Sequence, residues 1–221
     1  MATSTVENYL KAILHLAEDE AATISVGSIA KNLTVTPGTV SAMMKHLSDE
    51  KLVDYVPRRS VALTAKGKRQ ALQVVRRHRL IETFLVQVMG LDWAEVHEEA
   101  EVLEHVVSGR LLARMDEMLG YPRYDPHGDP IPNENGEYAD PGDLQPLAEV
   151  TSGRFRLLRV DDSDSDLLDW LQSHQLLPGR EYEIISRDSI AGVMEILVPK
   201  NRSHIQIGEK AASRILVEPV L

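Results

Sequence analysis

The residues Thr34-Val35-Thr36-Pro37-Gly38 separate two short stretches that both have the apolar spacing of a helix. The apolar positions before them predict a helix at about 27–33, and those after them predict a second helix at about 37–49. Thr36 is suited to cap the second helix, and Pro37 takes its first position, where a missing N–H costs nothing. This stretch therefore predicts two helices joined by a tight turn.

The flanking segments extend this helix pair into a larger unit. Apolar spacing predicts a helix from Ser4 to Leu16, with Ser4 as N-cap and Glu7 completing a capping box. Two short alternating strands, at about 52–56 and 60–63, follow the second helix. Three helices, a tight turn and a two-stranded ribbon are typical of a winged helix-turn-helix. The alternative is a helical bundle whose turn happens to contain Thr-x-Pro.

Charge is distributed unevenly along the chain. The net charge is −10, yet residues 1–75 contain 9 Lys/Arg and 7 Asp/Glu, whereas the remainder contains 15 and 27. Phosphate attraction is local, because charges are screened beyond about 10 Å at ordinary ionic strength. An acidic protein with a mildly basic head can therefore still bind double-stranded DNA through that head.

Polar and basic residues lie where a winged helix would meet DNA. The start of the second helix carries small polar groups that could touch thymine methyls or phosphates, and basic groups follow on that helix and on the wing. The predicted DNA contacts are Thr36, Gly38, Thr39, Ser41, Ala42, Lys45, Arg58 and Arg59. The last three are predicted to contact phosphates.

Three further helices are predicted after the ribbon. Thr64 is suited to cap a long helix that runs to about Met89, and Asp92 is suited to cap the next one, at 93–107. A helix at 108–119 carries more apolar surface than a small winged helix needs. We expect that surface to form a homodimer interface, with a purely internal core as the alternative.

The helix predicted at 93–107 contains His97-Glu98-Glu99-Ala100-Glu101-Val102-Leu103-Glu104-His105. At 100° per residue, its two histidines and the carboxylates of Glu101 and Glu104 fall on one side. The chain has no Cys, so a metal would be held by imidazole, carboxylate or amide groups. Such a set suits Mn²⁺, Fe²⁺ or Zn²⁺. The alternative is a solvated acidic face with two incidental histidines.

Spacing favours two metal sites over one. His97 and His105 would be about 12 Å apart along a helix, which is too far for a single ion. Glu101, Glu104 and His105 can share one ion, whereas His97 needs partners from elsewhere. His78 and Glu82, one helical turn apart in the long helix, are candidates.

The C-terminal part of the chain differs in composition. Six of the 11 prolines fall between 120 and 146, which indicates an extended linker rather than a packed element. Five short β-type runs follow, at 155–160, 182–186, 193–198, 204–207 and 215–217, with an acidic helix at about 163–174. This pattern is typical of a small β-barrel.

The predicted fold is thus mainly α with β. It comprises a winged helix-turn-helix at 1–70, a helical metal-binding and dimerisation domain at 71–120, a Pro-rich linker at 121–146 and a small barrel at 147–221. The sequence contains no Gly-rich phosphate loop, no Ser/His/Asp nucleophile motif and no internal repeat. No apolar run is long enough to span a bilayer and no signal peptide is recognisable, so a cytoplasmic protein that does not enter the membrane is expected.

Several ordered motifs resemble the diphtheria toxin repressor family of metal-dependent transcriptional regulators, particularly its manganese transport regulators. The similarity covers essentially the whole chain, and its tail is similar to the SH3-like, FeoA-type domain of that family. The motifs are Asn8-Tyr9-Leu10, Thr39-Val40-Ser41, Leu63-Thr64-Ala65-Lys66-Gly67, His78-Arg79-Leu80-Ile81-Glu82, His97-x₃-Glu101-x₂-Glu104-His105 and Asp125-Pro126-His127-Gly128-Asp129-Pro130-Ile131-Pro132.

The resemblance implies two metal sites in each subunit. The regulatory site would use Asn8, Glu101, Glu104 and His105. The second site would use His78, Glu82 and His97, with carboxylates borrowed from Asp164 and Asp166. Relatives that sense iron place Cys where this chain has Glu101, which favours Mn²⁺ over Fe²⁺, whereas manganese members often have Asp where it has Asn8. Zn²⁺ and Co²⁺ are further candidates in vitro, and some relatives have Gln where this chain has Ala42.

The resulting hypothesis is a homodimeric, metal-activated repressor of metal-homeostasis genes that binds a DNA operator and is not an enzyme. Two rival hypotheses stay open at this point. One is a winged-helix dimer whose metals are purely structural. The other is a binuclear metal hydrolase, which would need an open coordination position, a cleft and a general base; no base is evident near the cluster.

Overall fold

The computed structural model describes residues 3–17, 23–140, 142–200 and 202–220. The chain forms two compact units. The first consists of Met1–His78, Val102–Ser108 and Pro132–Tyr138, and the second consists of Arg79–Glu101, Gly109–Ile131 and Ala139–Leu221. The division into four segments made from the sequence stays a prediction.

The first unit contains the predicted helix-turn-helix. Helix α2 spans Val26–Asn32 and helix α3 spans Pro37–Asp49. The Thr36 hydroxyl accepts a hydrogen bond from the backbone N–H of Thr39, and Pro37 begins the helix, so both features predicted from the sequence are confirmed. The capping threonine fixes the start of α3 because it satisfies an N–H that has no partner within the helix.

Helix α1 spans Ser4–Ala17, but its cap differs from the prediction. Because the helix already includes Ser4, the capping residue is Thr3, whose hydroxyl accepts from Val6 N–H and whose carbonyl accepts from Glu7 N–H. The predicted capping box of Ser4 and Glu7 is therefore wrong. The Glu7 side chain is directed instead to Arg77 and His105.

The wing and the part of the long helix up to His78 complete the first unit. Strands β1 (Val53–Tyr55) and β2 (Val61–Leu63) pair antiparallel, as predicted. Helix α4 spans Ala65–Gln87, and Thr64 caps it by accepting from Gly67 N–H. The core of this unit is aliphatic, and its fully buried members include Leu10, Ile13, Ile29, Val40, Met44 and Leu47.

Two shorter helices follow α4. Helix α5 spans Val96–Leu103 and helix α6 spans Gly109–Met118. The prediction of one helix over 93–107 is wrong at both ends, so Glu104 and His105 lie in a turn rather than on a shared helical face. The turn forms because the Leu103 carbonyl accepts from both Val106 N–H and Val107 N–H.

The second unit is built on a six-stranded antiparallel sheet. Its strands are β3 (Gln145–Pro146), β4 (Gly153–Val160), β5 (Glu181–Asp188), β6 (Val193–Val198), β7 (Ser203–Gly208) and β8 (Ile215–Pro219). Their order in the sheet is β3-β8-β4-β5-β6-β7. The five predicted strands are confirmed, and the two-residue β3 was not predicted because it is too short to show alternation.

Two helices and a 3-10 turn accompany the sheet. Helix α7 spans Ser165–Ser173, helix α8 spans Glu209–Ala212, and the 3-10 turn spans Leu147–Glu149. The core beneath them contains fully buried aromatic and aliphatic groups, which include Phe155, Leu157, Leu171, Tyr182 and Ile196. Across all described residues, no helix is both long enough and apolar enough to cross a bilayer.

Part of the segment predicted as an extended linker is packed. Asp125, His127, Asp129 and Ile131 are buried, although the segment is rich in proline. Gly128 has a positive φ of 91°, and a Cβ built on it would lie 1.8 Å from the carbonyl oxygen of Leu158. Only glycine permits this approach, so the loop lies directly against β4. Pro141, which belongs to the same segment, lies outside the described residues.

We predict that Gly67→Ala strongly destabilises the winged-helix unit. An ideal Cβ at Gly67 would lie 2.0 Å from the carbonyl oxygen of Leu52, and backbone atoms cannot easily move away. The expected cost is about 2 kcal/mol or more, measured by urea denaturation.

The matched control is Gly27→Ala, also near the start of a helix. Its Cβ would meet nothing closer than the Ser25 hydroxyl at 3.6 Å. Alanine there should be neutral or stabilising by about 0.5 kcal/mol, because it favours the helix. Equal effects of the two substitutions would contradict the close packing of Gly67.

Candidate metal centres

The first cluster of candidate ligands joins α1 to the turn after α5, within the first unit. His105 Nδ1 lies 2.7 Å from Glu7 Oε2, and Arg77 donates to Glu7 Oε1 at 2.7 Å. With the His105 proton on Nδ1, Nε2 keeps its lone pair. That Nε2 atom is buried and accepts no hydrogen bond from the described residues. A carboxylate that orients an imidazole in this way is typical of metal-binding histidines.

Glu104 is the fully buried acid of this cluster. Its two oxygens accept hydrogen bonds from Lys11 Nζ at 2.7 and 2.9 Å, and His78 Nδ1 lies 2.6 Å from Oε2. Burial alone would raise the pKa of Glu104, but hydrogen bonds and charge from His78 and Lys11 together lower it. Glu104 is therefore an ionised carboxylate inside the protein, a group suited to hold a cation.

Asn8 is a candidate oxygen ligand on α1. It follows Glu7 directly and lies three residues before Lys11 on α1. Its side-chain oxygen Oδ1 is buried and has no hydrogen-bond partner among the described residues. A buried polar atom without a partner is unfavourable unless a ligand supplies one. Asn8 Oδ1 and His105 Nε2 are two such atoms, and His105 Nε2 lies 3.4 Å from Glu104 Oε1. An amide oxygen and an imidazole nitrogen are both groups that suit a divalent cation.

The other predicted ligands are divided between the two units. His78 belongs to the first unit, where it contacts Glu104. Glu101 belongs to the second unit, where His97 Nε2 lies 3.6 Å from its Oε1. His97 Nδ1 also lies 3.3 Å from Glu82 Oε1. The structure therefore brings His97 to Glu82, a partner in the second predicted site, and also to Glu101, which the resemblance assigned to the regulatory site.

A second cluster was only partly predicted. Within the second unit, ligand atoms of Glu82, His127 and Asp162 all lie within 4.8 Å of one another. Glu82 and His127 are fully buried, and Asp162 is half-buried. His127 Nε2 lies 2.8 Å from the Trp93 carbonyl oxygen, which can only accept, so Nε2 carries the proton. The lone pair is then on Nδ1, which is buried and has no hydrogen-bond partner in the described chain.

Asp125 adds a third acid beside Glu82 and Asp162. Its Oδ1 accepts from the backbone N–H groups of His127 and Asp129, both at 2.9 Å, which shapes the loop. Burial raises its pKa well above the usual range, and the charges of Asp129 and Glu82 raise it further, although Arg79 lowers it. A cation bound here would relieve that repulsion. This cluster therefore also fits a divalent metal.

Arg79 and Arg159 neutralise Asp129, the next acid in the loop. Asp129 Oδ1 lies 3.1 Å from an Arg79 nitrogen and 2.6 Å from an Arg159 nitrogen. Burial raises the pKa of Asp129, and these two guanidinium groups counteract that effect. Asp129 is thus held by two arginines, whereas Asp125 Oδ2 lies farther, 3.6 Å, from Arg79 Nε. Asp125 and Asp162 are therefore the candidate carboxylates alongside Glu82.

Asp164 and Asp166 lie elsewhere in the second unit. Asp164 caps α7 by accepting from Leu167 N–H, and its other oxygen pairs with Arg214. Asp166 is an exposed residue of the first turn of α7. Among the carboxylates of this segment, Asp162 is the one that joins Glu82 and His127. The sequence motif at 125–129 was recognised, but no ligand role was predicted for Asp125 or His127, because their burial cannot be read from the sequence.

The predicted DNA contacts are mostly accessible. All of them are exposed except Ser41, which is half-buried and donates its hydroxyl proton to the Pro37 carbonyl. The Thr36 and Thr39 hydroxyl oxygens lie 2.9 Å apart. Arg58 has a positive φ of 64° at the tip of the wing. These positions form one helix start and one ribbon tip, as a winged helix requires.

Three family models match successive parts of the chain. Residues 1–61 match the N-terminal DNA-binding domain of iron-dependent repressors, and residues 64–133 match their metal-binding and dimerisation domain. Residues 145–219 match the FeoA domain. The iron-dependent repressor IdeR of Mycobacterium leprae is 32% identical over 228 residues, covering 98% of this chain and 97% of that protein. The chain belongs to the iron-dependent repressor family. It is thus related to iron- and manganese-dependent transcriptional repressors.

Other members of the family show the same full-length match. The diphtheria toxin repressor of Corynebacterium glutamicum is 30% identical over 227 residues, covering 98% of this chain and 96% of that one. A solved manganese-dependent transcriptional repressor in complex with manganese is 36% identical, with a TM-score of 0.88 and coverage of 97% and 100%. ScaR with bound Cd²⁺ is 35% identical, with a TM-score of 0.77 and coverage of 97% and 99%. The predicted fold class and family are confirmed.

We predict that Asp125→Asn stabilises the repressor in the presence of a chelator and reduces its stabilisation by Mn²⁺. Asparagine keeps the Oδ1 acceptor that shapes the loop but removes a buried charge next to Glu82 and Asp129. The melting temperature without metal should rise by about 2–4 °C, which corresponds to roughly 1 kcal/mol for a chain of this size.

Asp143→Asn serves as the control, because Asp143 is exposed and its substitution should change stability by less than about 0.5 kcal/mol. If Asp125→Asn lowered the melting temperature in chelator and left the Mn²⁺ effect intact, Asp125 would be a structural group rather than part of a metal centre.

Proposed function

We propose that this family member is a homodimeric repressor that binds double-stranded operator DNA when Mn²⁺ is bound, and that it controls metal-homeostasis genes in the cytoplasm. The observation that carries the proposal is the cluster of Asn8, Glu104 and His105. It connects α1, a helix of the winged-helix unit, to the turn that follows α5. The proposal assigns the protein no catalytic role.

Asn8, Glu104 and His105 would hold the regulatory ion, with Glu101 as a further proposed ligand. The metal would supply a positive charge shared by ligands that are distant in sequence. Glu7 orients His105 so that Nε2 keeps its lone pair, and Arg77 holds the other oxygen of Glu7 in place. These contacts fix α1 to the 104–105 turn, and α1 packs in the same core as the recognition helix α3.

Glu82, Asp125, His127 and Asp162 would hold the second ion. This set differs from the one implied by resemblance alone, because it replaces Asp164 and Asp166 with acids that the structure brings together. His78 and His97 stay candidates through their contacts with Glu104 and Glu82. Oxygen-rich sets with imidazole and without thiolate favour Mn²⁺ or Fe²⁺ over softer ions. The solved manganese complex supports Mn²⁺ as the first choice.

The apolar surface of α6 supports the homodimer. Asp116 is its one buried residue, whereas Leu111 and Met118 are 48% and 53% exposed. A helix with uncovered apolar groups is typical of a protein–protein interface. The family model for residues 64–133, which includes a dimerisation domain, covers this helix. A dimer would present two recognition helices about one turn of DNA apart, roughly 34 Å.

We predict that Mn²⁺ increases the affinity for operator DNA and that His105→Ala removes this effect. The substitution deletes an imidazole whose Nε2 is buried and lies 3.4 Å from Glu104 Oε1. Loss of a metal ligand should weaken activation by about tenfold or more, since even outer-shell partners change metal affinity by 10–100-fold. Fluorescence anisotropy with operator DNA, titrated with Mn²⁺, Fe²⁺, Zn²⁺ and Co²⁺, measures this.

His204→Ala is the matched control, because His204 is an exposed histidine of the second unit that pairs with Glu195. It should respond to Mn²⁺ like the wild type. If metal raised the melting temperature of the wild type without changing its DNA affinity, the metals would be purely structural and the proposed function would fail.

We predict that Arg59→Ala weakens binding to all DNA sequences about equally. Arg59 is exposed beside the wing tip, where a phosphate contact carries no sequence information. The slope of log K against log salt should fall in magnitude by about one.

Comparing operator with random DNA across a salt series gives both quantities. Ala62→Ser, a conservative change at an exposed ribbon position away from the basic tip, should leave the slope unchanged. A loss confined to the operator would show that Arg59 reads bases.

A further inference from the structure

Lys11 is a charged residue on the buried face of α1. The other buried residues of this helix are apolar or aromatic, whereas Lys11 is 8% exposed. Lysines are almost never buried at this level without a paired acid. Its partner is Glu104, which is fully buried and receives hydrogen bonds from the Lys11 ammonium on both carboxylate oxygens, at 2.7 and 2.9 Å. The pair joins residues that are 93 positions apart in the chain.

Two imidazoles also lie beside Glu104. His78 Nδ1 lies 2.6 Å from Oε2, and His105 Nε2 lies 3.4 Å from Oε1. A carboxylate offers about four lone-pair directions, so Lys11 and His78 occupy most of its capacity. The acid that would serve as a metal ligand thus already has a cation that belongs to the protein.

We propose that Lys11 is an intramolecular cation that competes with the divalent metal for Glu104 and thereby sets the metal affinity of the regulatory site. This inference rests on the proposed role of Glu104 as a ligand. Both oxygens of Glu104 already accept from the Lys11 ammonium, so an ion bound through Glu104 must share an oxygen with Lys11 or displace one of its hydrogen bonds. It must also approach a positive charge in a poorly solvated environment, where screening is weak. Both effects weaken metal binding.

Lys11 has a compensating benefit in the absence of metal. A fully buried carboxylate without a charged partner is strongly unfavourable, and removing one member of a buried pair is costly. The ammonium therefore stabilises the protein when little metal is bound. Its flexible four-carbon side chain allows it to release Glu104 without a change in the backbone. The same residue thus supports the metal-free fold and opposes metal binding.

The test compares Lys11→Met with the wild type, both in an Asp162→Asn background that removes a proposed ligand of the second site. Methionine keeps the length of the side chain but not its charge. Mn²⁺ affinity is measured by competition with a fluorescent chelator, and melting temperature is measured in excess EDTA. We expect Lys11→Met to bind Mn²⁺ at least about tenfold more tightly than the wild type. A tenfold change corresponds to the free energy of one hydrogen bond to a charged group. The melting temperature in EDTA should fall.

Two control variants separate charge from packing. Lys11→Arg keeps the positive charge, so its Mn²⁺ affinity should stay within about threefold of the wild-type affinity. Lys31→Met removes an exposed charge on α2 and should change neither measurement. If Lys11→Met is poorly folded, Lys11→Gln, which keeps a hydrogen-bond donor but no charge, is measured in its place.

Unchanged or weaker Mn²⁺ binding in a folded Lys11→Met or Lys11→Gln protein overturns the inference. His105→Ala in the same background shows which proposal has failed. If His105→Ala loses Mn²⁺ and the Lys11 variants bind like the wild type, the regulatory site exists but Lys11 does not compete. If His105→Ala also binds like the wild type, the proposed site itself is wrong.

Discussion

Glu104 is an ionised carboxylate with no exposed surface, and the first unit must provide it with partners. A charge at zero exposure must be matched, and Lys11 and His78 match it from two different helices. Next to it, Glu7 on α1 pairs in the same way with His105. Together they hold α1 against a turn that is nearly a hundred residues later in the chain. The ligands proposed for the regulatory ion and the contacts that hold α1 in place thereby involve the same few side chains.

Local signals in the sequence were sufficient for most of the fold. The Thr36–Pro37 start of α3, the Thr64 cap of α4 and the five longer strands follow from capping chemistry and alternation. The helix through His105 was mispredicted because its apolar and charged spacing continues beyond Leu103, where the backbone instead forms a turn. Periodicity reports which face of a helix is apolar, but it does not report where a helix ends when no Gly or Pro marks the end.

The candidate sites were only partly predictable for a different reason. Glu104, His105 and Glu82 stood out as acids and imidazoles at helical spacing, whereas Lys11, Asp125, His127 and Asp162 act through contacts between distant segments. Lys11 is part of an ordinary amphipathic pattern, and its partner is 93 residues away. Asp125 and His127 belong to a loop whose prolines suggested an exposed linker, yet Gly128 brings that loop against β4. Burial, rather than residue type, gives these groups their chemistry.

The start of α3 carries three hydroxyl groups that are already engaged within the protein. Thr36 accepts from Thr39 N–H, the Thr36 and Thr39 oxygens share a hydrogen bond, and Ser41 donates to Pro37. With Ala42 beside them, this surface would offer DNA mainly methyl groups and backbone. The donor and acceptor code of the major groove would then contribute little. An operator for such a helix would be distinguished by the positions of its thymine methyl groups and by the ease with which it bends.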